Sequence, residues 1–203
     1  MEAIKNYLQM FTTTFGTACV ISAVTMLFYS WKARSEFHKK NKLAHAFVLA
    51  LFFGLLSAYA TVSAVPVEVN GSSALCNCRN LAPLYAGLVG GPIAGVGAGI
   101  IGGLFRFFVY GGTASDLPCM IACIAAGCIG TVFHLLVKKN VRYSIPVGII
   151  ASIITEGLHM LLLVAFDLSA TAKVISLPII LANVFGMIFC LYMYKKTHPE
   201  NEN

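Results

Sequence analysis

Residues 81–112 have the sequence LAPLYAGLVGGPIAGVGAGIIGGLFRFFVYGG, an apolar stretch with ten glycines that is interrupted by Gly90-Gly91-Pro92. Its 32 residues extend about 48 Å as helix, whereas two full crossings of a bilayer need about 60 Å. Small residues recur at every fourth position, a spacing that allows close helix packing: Gly87, Gly91, Gly95, Gly99 and Gly103. The stretch therefore forms either one long crossing or a re-entrant hairpin with its hinge at Gly90, Gly91 and Pro92.

The whole chain of 203 residues has the composition of an integral membrane protein. Hydrophobic residues make up 58% of it, charged residues make up 11%, and the mean hydropathy is +0.82. Soluble domains are roughly 45–50% apolar and about 25% charged, so most of this chain does not face water. The composition excludes a nucleic-acid-binding protein, although the isoelectric point is near 9.0.

Five further segments are long and apolar enough to cross a membrane. They are residues 8–31, 44–66, 117–137, 144–166 and 174–194. The first is too long for a cleavable signal peptide, and its basic residues follow it rather than precede it, so we expect it to remain as an anchor. The predicted fold is an all-α integral membrane protein with five full transmembrane helices and one glycine-rich broken segment. The alternative is six crossings.

The basic residues favour one of these topologies, because cytoplasmic loops collect Lys and Arg. Ten of the fourteen basic residues fall into three clusters: Lys32, Arg34, Lys39, Lys40 and Lys42; Lys138, Lys139 and Arg142; and Lys195 and Lys196. All three clusters share the cytoplasmic side only if the glycine-rich segment begins and ends on the outer side. We therefore favour the re-entrant hairpin, with a cytoplasmic C-terminus.

Two of the remaining basic residues, Arg79 and Arg106, flank the glycine-rich segment. Its first leg, from Leu81 to Gly90, would descend about 15 Å, half of the bilayer, so we expect both arginines at its outer mouth. A guanidinium binds a carboxylate bidentately and keeps its charge when buried, which predicts an anion site. Alternatively, each arginine extends to the interface, or pairs with Asp116 or Glu68.

Cys119 lies at the outer end of the predicted helix 117–137, where the free N–H groups and the helix dipole favour an anion. Thr113 and Ser115 come just before it and are candidates to line the same pocket. The alternative role for Cys119 is that of a small residue in helix packing.

Glu156 and His159 are three residues apart on one face of a predicted membrane helix. Ionisable groups at such a depth are costly and are candidates for function. They predict a proton relay, or else a structural hydrogen bond to Asn183 on the last helix.

The sequence has no signature of an enzyme, because it lacks a Walker A loop, a zinc-protease motif, a nucleophile elbow and kinase or cyclase motifs. We therefore predict neither catalysis nor a cofactor. Cys76 and Cys78 are too close in sequence for an easy mutual disulfide, which leaves a link to Cys119 as an alternative. The odd total of seven cysteines and the lack of paired CxxC units argue against a metal site.

Residues 77–130 carry several of these features in one order: Asn77-x-Arg79, the Gly-Gly-Pro, a Gly-x-Gly-Ala-Gly run, Arg106-Phe107 and Cys119. This order resembles the LytS/YhcK-type multi-transmembrane receptor domain, strongly over about residues 77–137 and more weakly over 44–195. The resemblance divides the chain into a first helix with a basic loop (1–43), a sensor domain (44–195) and a polar cytoplasmic tail (196–203).

The resemblance implies a sensor of the plasma membrane. Some receptors of this family respond to external small carboxylates such as pyruvate through two arginines and a Cys-x-x-Ser. Those residues correspond here to Arg79, Arg106 and Cys119, whereas Ala122 stands at the serine position. The usual His before the second arginine is Phe105, and two residues are inserted before Cys119.

The resemblance also implies partners. Family members continue into a coiled coil and a kinase or cyclase where this chain ends at Asn203, so we expect a stand-alone or truncated sensor, able to form a homodimer. It would act through a separate cytoplasmic histidine kinase, response regulator or other output protein, in two-component control of the cell-wall or autolysis type. The alternative is the substrate-binding membrane subunit of an importer, or a small carrier, because broken helices are typical of carriers. Glu156 and His159 would then be coupling groups.

Overall fold

The computed structural model describes residues 2–33, 41–69 and 71–197. These residues form eight α-helices and one β-hairpin. The helices are α1 (Glu2–Ala33), α2 (Lys42–Val62), α3 (Leu81–Gly90), α4 (Pro92–Leu104), α5 (Asp116–Leu136), α6 (Lys139–Arg142), α7 (Ile145–Ala165) and α8 (Ser169–Thr197). A π-helical turn, Phe105–Val109, extends α4. The strands are β1 (Val65–Val69) and β2 (Ser72–Cys76), paired antiparallel. Arg34, Lys39, Lys40 and residues 198–203 of the predicted tail lie outside the described residues.

Six helical segments among the described residues are long and apolar enough to cross a membrane, which confirms the predicted all-α membrane fold. They are Ile4–Ser30, Lys42–Val62, Pro92–Val109, Asp116–Leu136, Ile145–Ala165 and Ser169–Thr197. The third of them is the second leg of the glycine-rich segment. The first leg is the short helix α3.

The two legs of the glycine-rich segment form a helical hairpin, as the re-entrant alternative requires. Gly91 separates them with a φ of 80°, a left-handed conformation that glycine adopts without a steric penalty, and Pro92 opens α4. The two helices approach so closely that a Cβ on Gly95 would overlap the backbone of Gly87 and of Gly127 on α5. The regular glycine spacing therefore builds the contact of α3 and α4 with α5.

The bundle has two distinct ends. At one end, here called the tyrosine end, Tyr29 of α1 and Tyr143 just before α7 pack on Tyr194 of α8, at centroid distances of 5.4 and 4.8 Å. At the other end, here called the hairpin end, Met10, Leu163 and Leu168 pack with Val65 of the β-hairpin. Among the described residues, the ends of the helices that carry the three basic clusters all lie at the tyrosine end. The predicted common side of these clusters thus matches the fold.

The depth of the turn differs from the prediction, which put it halfway across the bilayer. Gly91 lies beside the ring of His134, near the last turn of α5, and His134 Nδ1 is 2.9 Å from the carbonyl oxygen of Leu88. The short helix α3 therefore fills the half of the bundle toward the tyrosine end. The chain reaches the start of α3 through residues 77–80, a non-helical stretch that is buried at mid-depth. Such a stretch is stable there only because protein surrounds it.

The β-hairpin was not predicted from the sequence. The residues of β1 alternate between partly buried and exposed, and Gly71, just before β2, has a φ of 78°. Asn70-Gly71 between two short apolar segments is a strong turn signal, and it was available in the sequence. The hairpin closes the bundle near the N-terminal half of α1.

Candidate functional site

The two arginines that the sequence singled out are both buried inside the bundle and not at an outer mouth. Arg79 is 1% exposed and Arg106 is 0% exposed. Arg79 belongs to the mid-depth stretch 77–80, and Arg106 belongs to the π-helical turn that follows α4. The two are close enough to interact electrostatically, and Arg79 also acts on Cys119. The glycine-rich hairpin thus brings together the three residues that the resemblance pointed to.

Both terminal nitrogens of Arg106 have protein partners. Nη1 donates to the carbonyl oxygen of Tyr110 at 2.6 Å, and Nη2 donates to Thr113 Oγ1 at 2.7 Å and to Ser115 Oγ at 3.4 Å. Nη2 also forms an ion pair with Asp116. Asp116 therefore pairs with Arg106, which was one of the predicted alternatives.

The loop before α5 is organised around the same carboxylate. Asp116 Oδ2 accepts from the backbone N–H groups of Gly112 and Thr113, and Oδ1 accepts from the Thr113 hydroxyl. The hydroxyls of Thr113 and Ser115 lie 2.9 Å apart. Thr113 thus contacts Arg106, Asp116 and Ser115, and Ser115 contacts Arg106 and Thr113. The role of both residues in lining a ligand pocket stays a prediction.

Arg79 has the opposite surroundings. None of its three guanidinium nitrogens has a hydrogen-bond partner among the described residues, and no carboxylate there lies within ion-pair distance. Nearby, Asn77 Nδ2 and Asn80 Oδ1 are also buried without a partner. The Asn77 carboxamide oxygen accepts from the backbone N–H of Arg79 at 3.2 Å, which fixes the start of this stretch.

A row of buried polar side chains, here called the buried polar chain, lies near Arg79. It joins Cys119 to His159 and Glu156, which the sequence analysis treated separately. Cys119 Sγ is 3.4 Å from His159 Nε2, and His159 Nδ1 is 3.1 Å from Glu156 Oε2. Asn80 Nδ2 donates to Glu156 Oε1 at 3.1 Å and lies 3.3 Å from His159 Nδ1. The four side chains are between 0% and 3% exposed. Glu156 and His159 contact each other, and Cys119 extends this contact, while the proton relay stays a prediction.

Asn183 is not part of the buried polar chain. Its Nδ2 donates to the carbonyl oxygen of Ile179 on its own helix at 3.0 Å. The carboxamide that contacts Glu156 is that of Asn80, which was not predicted from the sequence. The available signal was a second carboxamide directly after Arg79, at the point where an apolar helix begins.

The cysteines give neither a disulfide nor a metal cluster. All seven are free, and the described residues contain no group of three or more potential metal ligands. Cys76 contacts Thr14 Oγ1 at 3.7 Å, and burial raises the pKa of its thiol to about 11. Cys76 therefore stays protonated and unreactive at neutral pH, and it does not link to Cys119.

Comparison with known proteins places this geometry in a family. Residues 29–197 match the family model described as 5TMR of 5TMR-LYT. The Sensor protein LytS of Bacillus cereus is 36% identical over 138 residues, which cover 66% of this chain and 23% of that protein. The Sensor histidine kinase YpdA of Escherichia coli K12 is 31% identical over 176 residues, which cover 81% of this chain and 30% of that protein.

A third relative, the Sensor histidine kinase/phosphatase LytS of Staphylococcus aureus, is 28% identical over 191 residues, which cover 85% of this chain and 30% of that protein. The chain thus spans less than a third of the length of these relatives. No solved structure matches it significantly. The family match covers most of the protein. It includes both arginines, the glycine-rich hairpin and the buried polar side chains around Cys119. The chain therefore belongs to the 5TMR-LYT family and is a LytS-type multi-transmembrane receptor domain.

Proposed function

We propose that this domain is a membrane sensor that binds a small extracellular carboxylate, similar to pyruvate, at Arg79. The observation that carries the proposal is the buried guanidinium of Arg79, which has no acceptor among the described residues. A buried charge without a partner is costly, and a carboxylate would offset this cost through two parallel hydrogen bonds. A small anion is also the size of ligand that a tightly packed interior admits.

In this proposal Arg106, Thr113 and Ser115 have a supporting role. Asp116 already neutralises Arg106, so this arginine contributes its unpartnered Nε and the shape of the loop before α5. Cys119 is close enough to Arg79 to interact with it electrostatically and lies 3.4 Å from His159 Nε2, so it would contact the ligand directly. Glu156 and His159 would form the polar floor of the site.

The basic residues support an orientation for the proposed sensor. Those described at the tyrosine end include Lys42, Lys138 and Lys195, and a cytoplasmic location for them agrees with the distribution of charge in membrane proteins. The C-terminus would then be cytoplasmic and the β-hairpin extracellular, in the plasma membrane. The relatives are sensor proteins and histidine kinases, which supports relay to a cytoplasmic kinase or response regulator, from a monomer or a homodimer.

Binding of pyruvate to the purified chain in lipid nanodiscs tests the site. We expect saturable binding, which Arg79→Gln weakens by about 10- to 100-fold, since a charge-assisted hydrogen bond contributes about 1.5–3 kcal/mol. Arg142→Gln is the matched control, because Arg142 contacts His134 at the tyrosine end. Equal affinity in the wild type and Arg79→Gln would contradict the site.

The same protein in sealed vesicles separates a sensor from a carrier. We expect no uptake of labelled pyruvate, because a sensor needs only to bind. Accumulation that Glu156→Gln abolishes would support the carrier alternative, in which Glu156 and His159 couple transport to protons. Binding without flux would support the sensor.

A further inference from the structure

The order of groups in the buried chain is that of a nucleophile, a base and an acid. Cys119 faces one ring nitrogen of His159, at 3.4 Å, and Glu156 faces the other, at 3.1 Å. When Nδ1 of His159 carries the ring proton and donates a hydrogen bond to Glu156, Nε2 is free to accept the thiol proton of Cys119. This is the arrangement in which an imidazole activates a thiol.

Two features indicate that this arrangement serves a ligand and not helix packing alone. Asn80 donates to the second oxygen of Glu156 and so fixes the carboxylate that orients the imidazole. Arg79, the residue next to Asn80, is buried, has no acceptor among the described residues, and acts electrostatically on the Cys119 thiol. A thiol that faces a base and the guanidinium of Arg79 are therefore close enough to interact electrostatically.

We propose that Cys119 captures a 2-oxo acid by reversible covalent addition, while Arg79 holds the carboxylate of the same molecule. This inference rests on the proposed function and adds the bond by which the ligand is retained. A 2-oxo acid places an electrophilic carbonyl carbon directly beside its carboxylate. A carboxylate held by Arg79 thus brings that carbon toward the sulfur of Cys119.

The step balances without any oxidant or additional reactant. His159 Nε2 takes the proton from the Cys119 thiol, and the sulfur forms a bond to the carbonyl carbon. The π electrons of the C=O bond move to its oxygen, which then takes the proton back from His159. The product is a tetrahedral thiohemiketal, and the reverse sequence releases the unchanged 2-oxo acid. Glu156 stabilises the imidazolium between the two proton transfers, and Asn80 acts as a positioning residue.

Carbon NMR of pyruvate labelled at C2 tests the proposal with the full chain in nanodiscs. We expect a protein-dependent resonance in the region of a tetrahedral carbon, distinct from that of free pyruvate hydrate measured without protein. Cys119→Ala should abolish this resonance and lower the affinity for pyruvate at least tenfold. Cys190→Ala is the matched control, because Cys190 is also buried but contacts Ser22, on α1.

Propionate, which has the carboxylate but no carbonyl, separates this inference from the proposed function. We expect Cys119→Ala to weaken pyruvate binding by a much larger factor than propionate binding, whereas Arg79→Gln weakens the binding of both acids by similar factors. Pyruvate binding that depends on Arg79 without a tetrahedral carbon in the wild type would overturn the covalent step alone. If the wild type bound neither acid, both proposals would fail. The wild-type spectrum decides the matter even if Cys119→Ala does not fold.

His159→Gln provides a further readout that a structural role would not affect. Without the imidazole, addition and release would lose their proton carrier. We therefore expect the exchange between free and bound labelled pyruvate to slow by a larger factor than the exchange of propionate. Unchanged exchange in a folded His159→Gln protein would overturn the role of His159.

Discussion

Arg79 and Arg106 lie at the two ends of the same glycine-rich hairpin, and both are buried, but their surroundings differ. Arg106 donates to a carbonyl and two hydroxyls and forms an ion pair with Asp116. Arg79 has no acceptor for any guanidinium nitrogen among the described residues. Because a buried charge needs compensation, we assign the first arginine to the structure of the domain, and the second is the one that we propose binds a ligand.

This difference assigns separate roles to two residues that sequence alone treats as equivalent. The loop 105–116 is a self-contained unit in which one carboxylate organises a cation, two hydroxyls and two backbone N–H groups. The stretch 77–80 holds a cation that its own protein does not neutralise. Variants that remove one charge at a time should therefore have opposite effects in the two regions.

The largest effect is expected for Asp116→Asn. The change leaves the Arg106 charge buried without its counter-ion, and breaking a buried pair costs about 3–5 kcal/mol. We expect a clear fall in the apparent melting temperature, measured by scanning fluorimetry in detergent. Glu68→Gln is the control, because Glu68 is exposed in β1 and should leave the melting temperature unchanged. Equal melting temperatures for Asp116→Asn and the wild type would contradict a structural role for the pair.

Arg79→Gln should behave in the opposite way. Without ligand, it removes an uncompensated charge from the interior, so we expect an unchanged or higher melting temperature. With pyruvate at a hundred times its dissociation constant, the wild type should gain about 2.7 kcal/mol of stability. Arg79→Gln, whose affinity should be about 10- to 100-fold lower, should gain only about 0.4–1.4 kcal/mol at the same concentration. A large loss of stability in ligand-free Arg79→Gln would show that the protein itself compensates Arg79.

A third comparison concerns the two carboxamides near the Glu156 helix. Asn80 donates to the Glu156 carboxylate, whereas Asn183 donates to a carbonyl of its own helix. Hydrogen bonds to charged groups contribute about 1.5–3 kcal/mol, and neutral ones contribute about 0.5–1.5 kcal/mol. We expect Asn80→Ala to lower the unfolding free energy and weaken pyruvate binding, and Asn183→Ala to leave binding unchanged. The reverse order would favour the sequence-based assignment of Asn183.

These residues also show how far the sequence could predict the site. Arg79, Arg106, Glu156 and His159 were identified because ionisable groups in an apolar chain are few and stand out. Cys119 was identified from its position at the outer end of a predicted helix. Their pairing was not predicted, because Cys119 and His159 meet only through the packing of α5 against α7. Sequence spacing contains no such information for different helices. Asn80 was missed for the same reason.

The fold, like the site, could be predicted only in part from the sequence. The lengths of the apolar segments predicted the helices and their order, and the basic residues predicted the common end of the three clusters. The depth of the hairpin did not follow from these signals, because helix length fixes how far α3 extends but not where it begins. The buried start at residues 77–80 depends on the surrounding helices, which is a tertiary property. This difference moved Arg79 from a predicted outer mouth into the middle of the bundle.

The smallest expected effect compares two hydroxyls within the Arg106 region. Thr113 Oγ1 accepts from Arg106 at 2.7 Å and donates to Asp116, while Ser115 Oγ lies 3.4 Å from Arg106. Thr113→Val keeps the side-chain shape and should cost about 1–3 kcal/mol, because buried charged groups lose a partner. Ser115→Ala removes a longer and weaker contact, so we expect a cost below about 1 kcal/mol. Chemical unfolding of both variants in the same detergent measures the difference. If pyruvate binding fell in either variant by as much as in Arg79→Gln, the loop would be part of the ligand site and the division between the two arginines would be wrong.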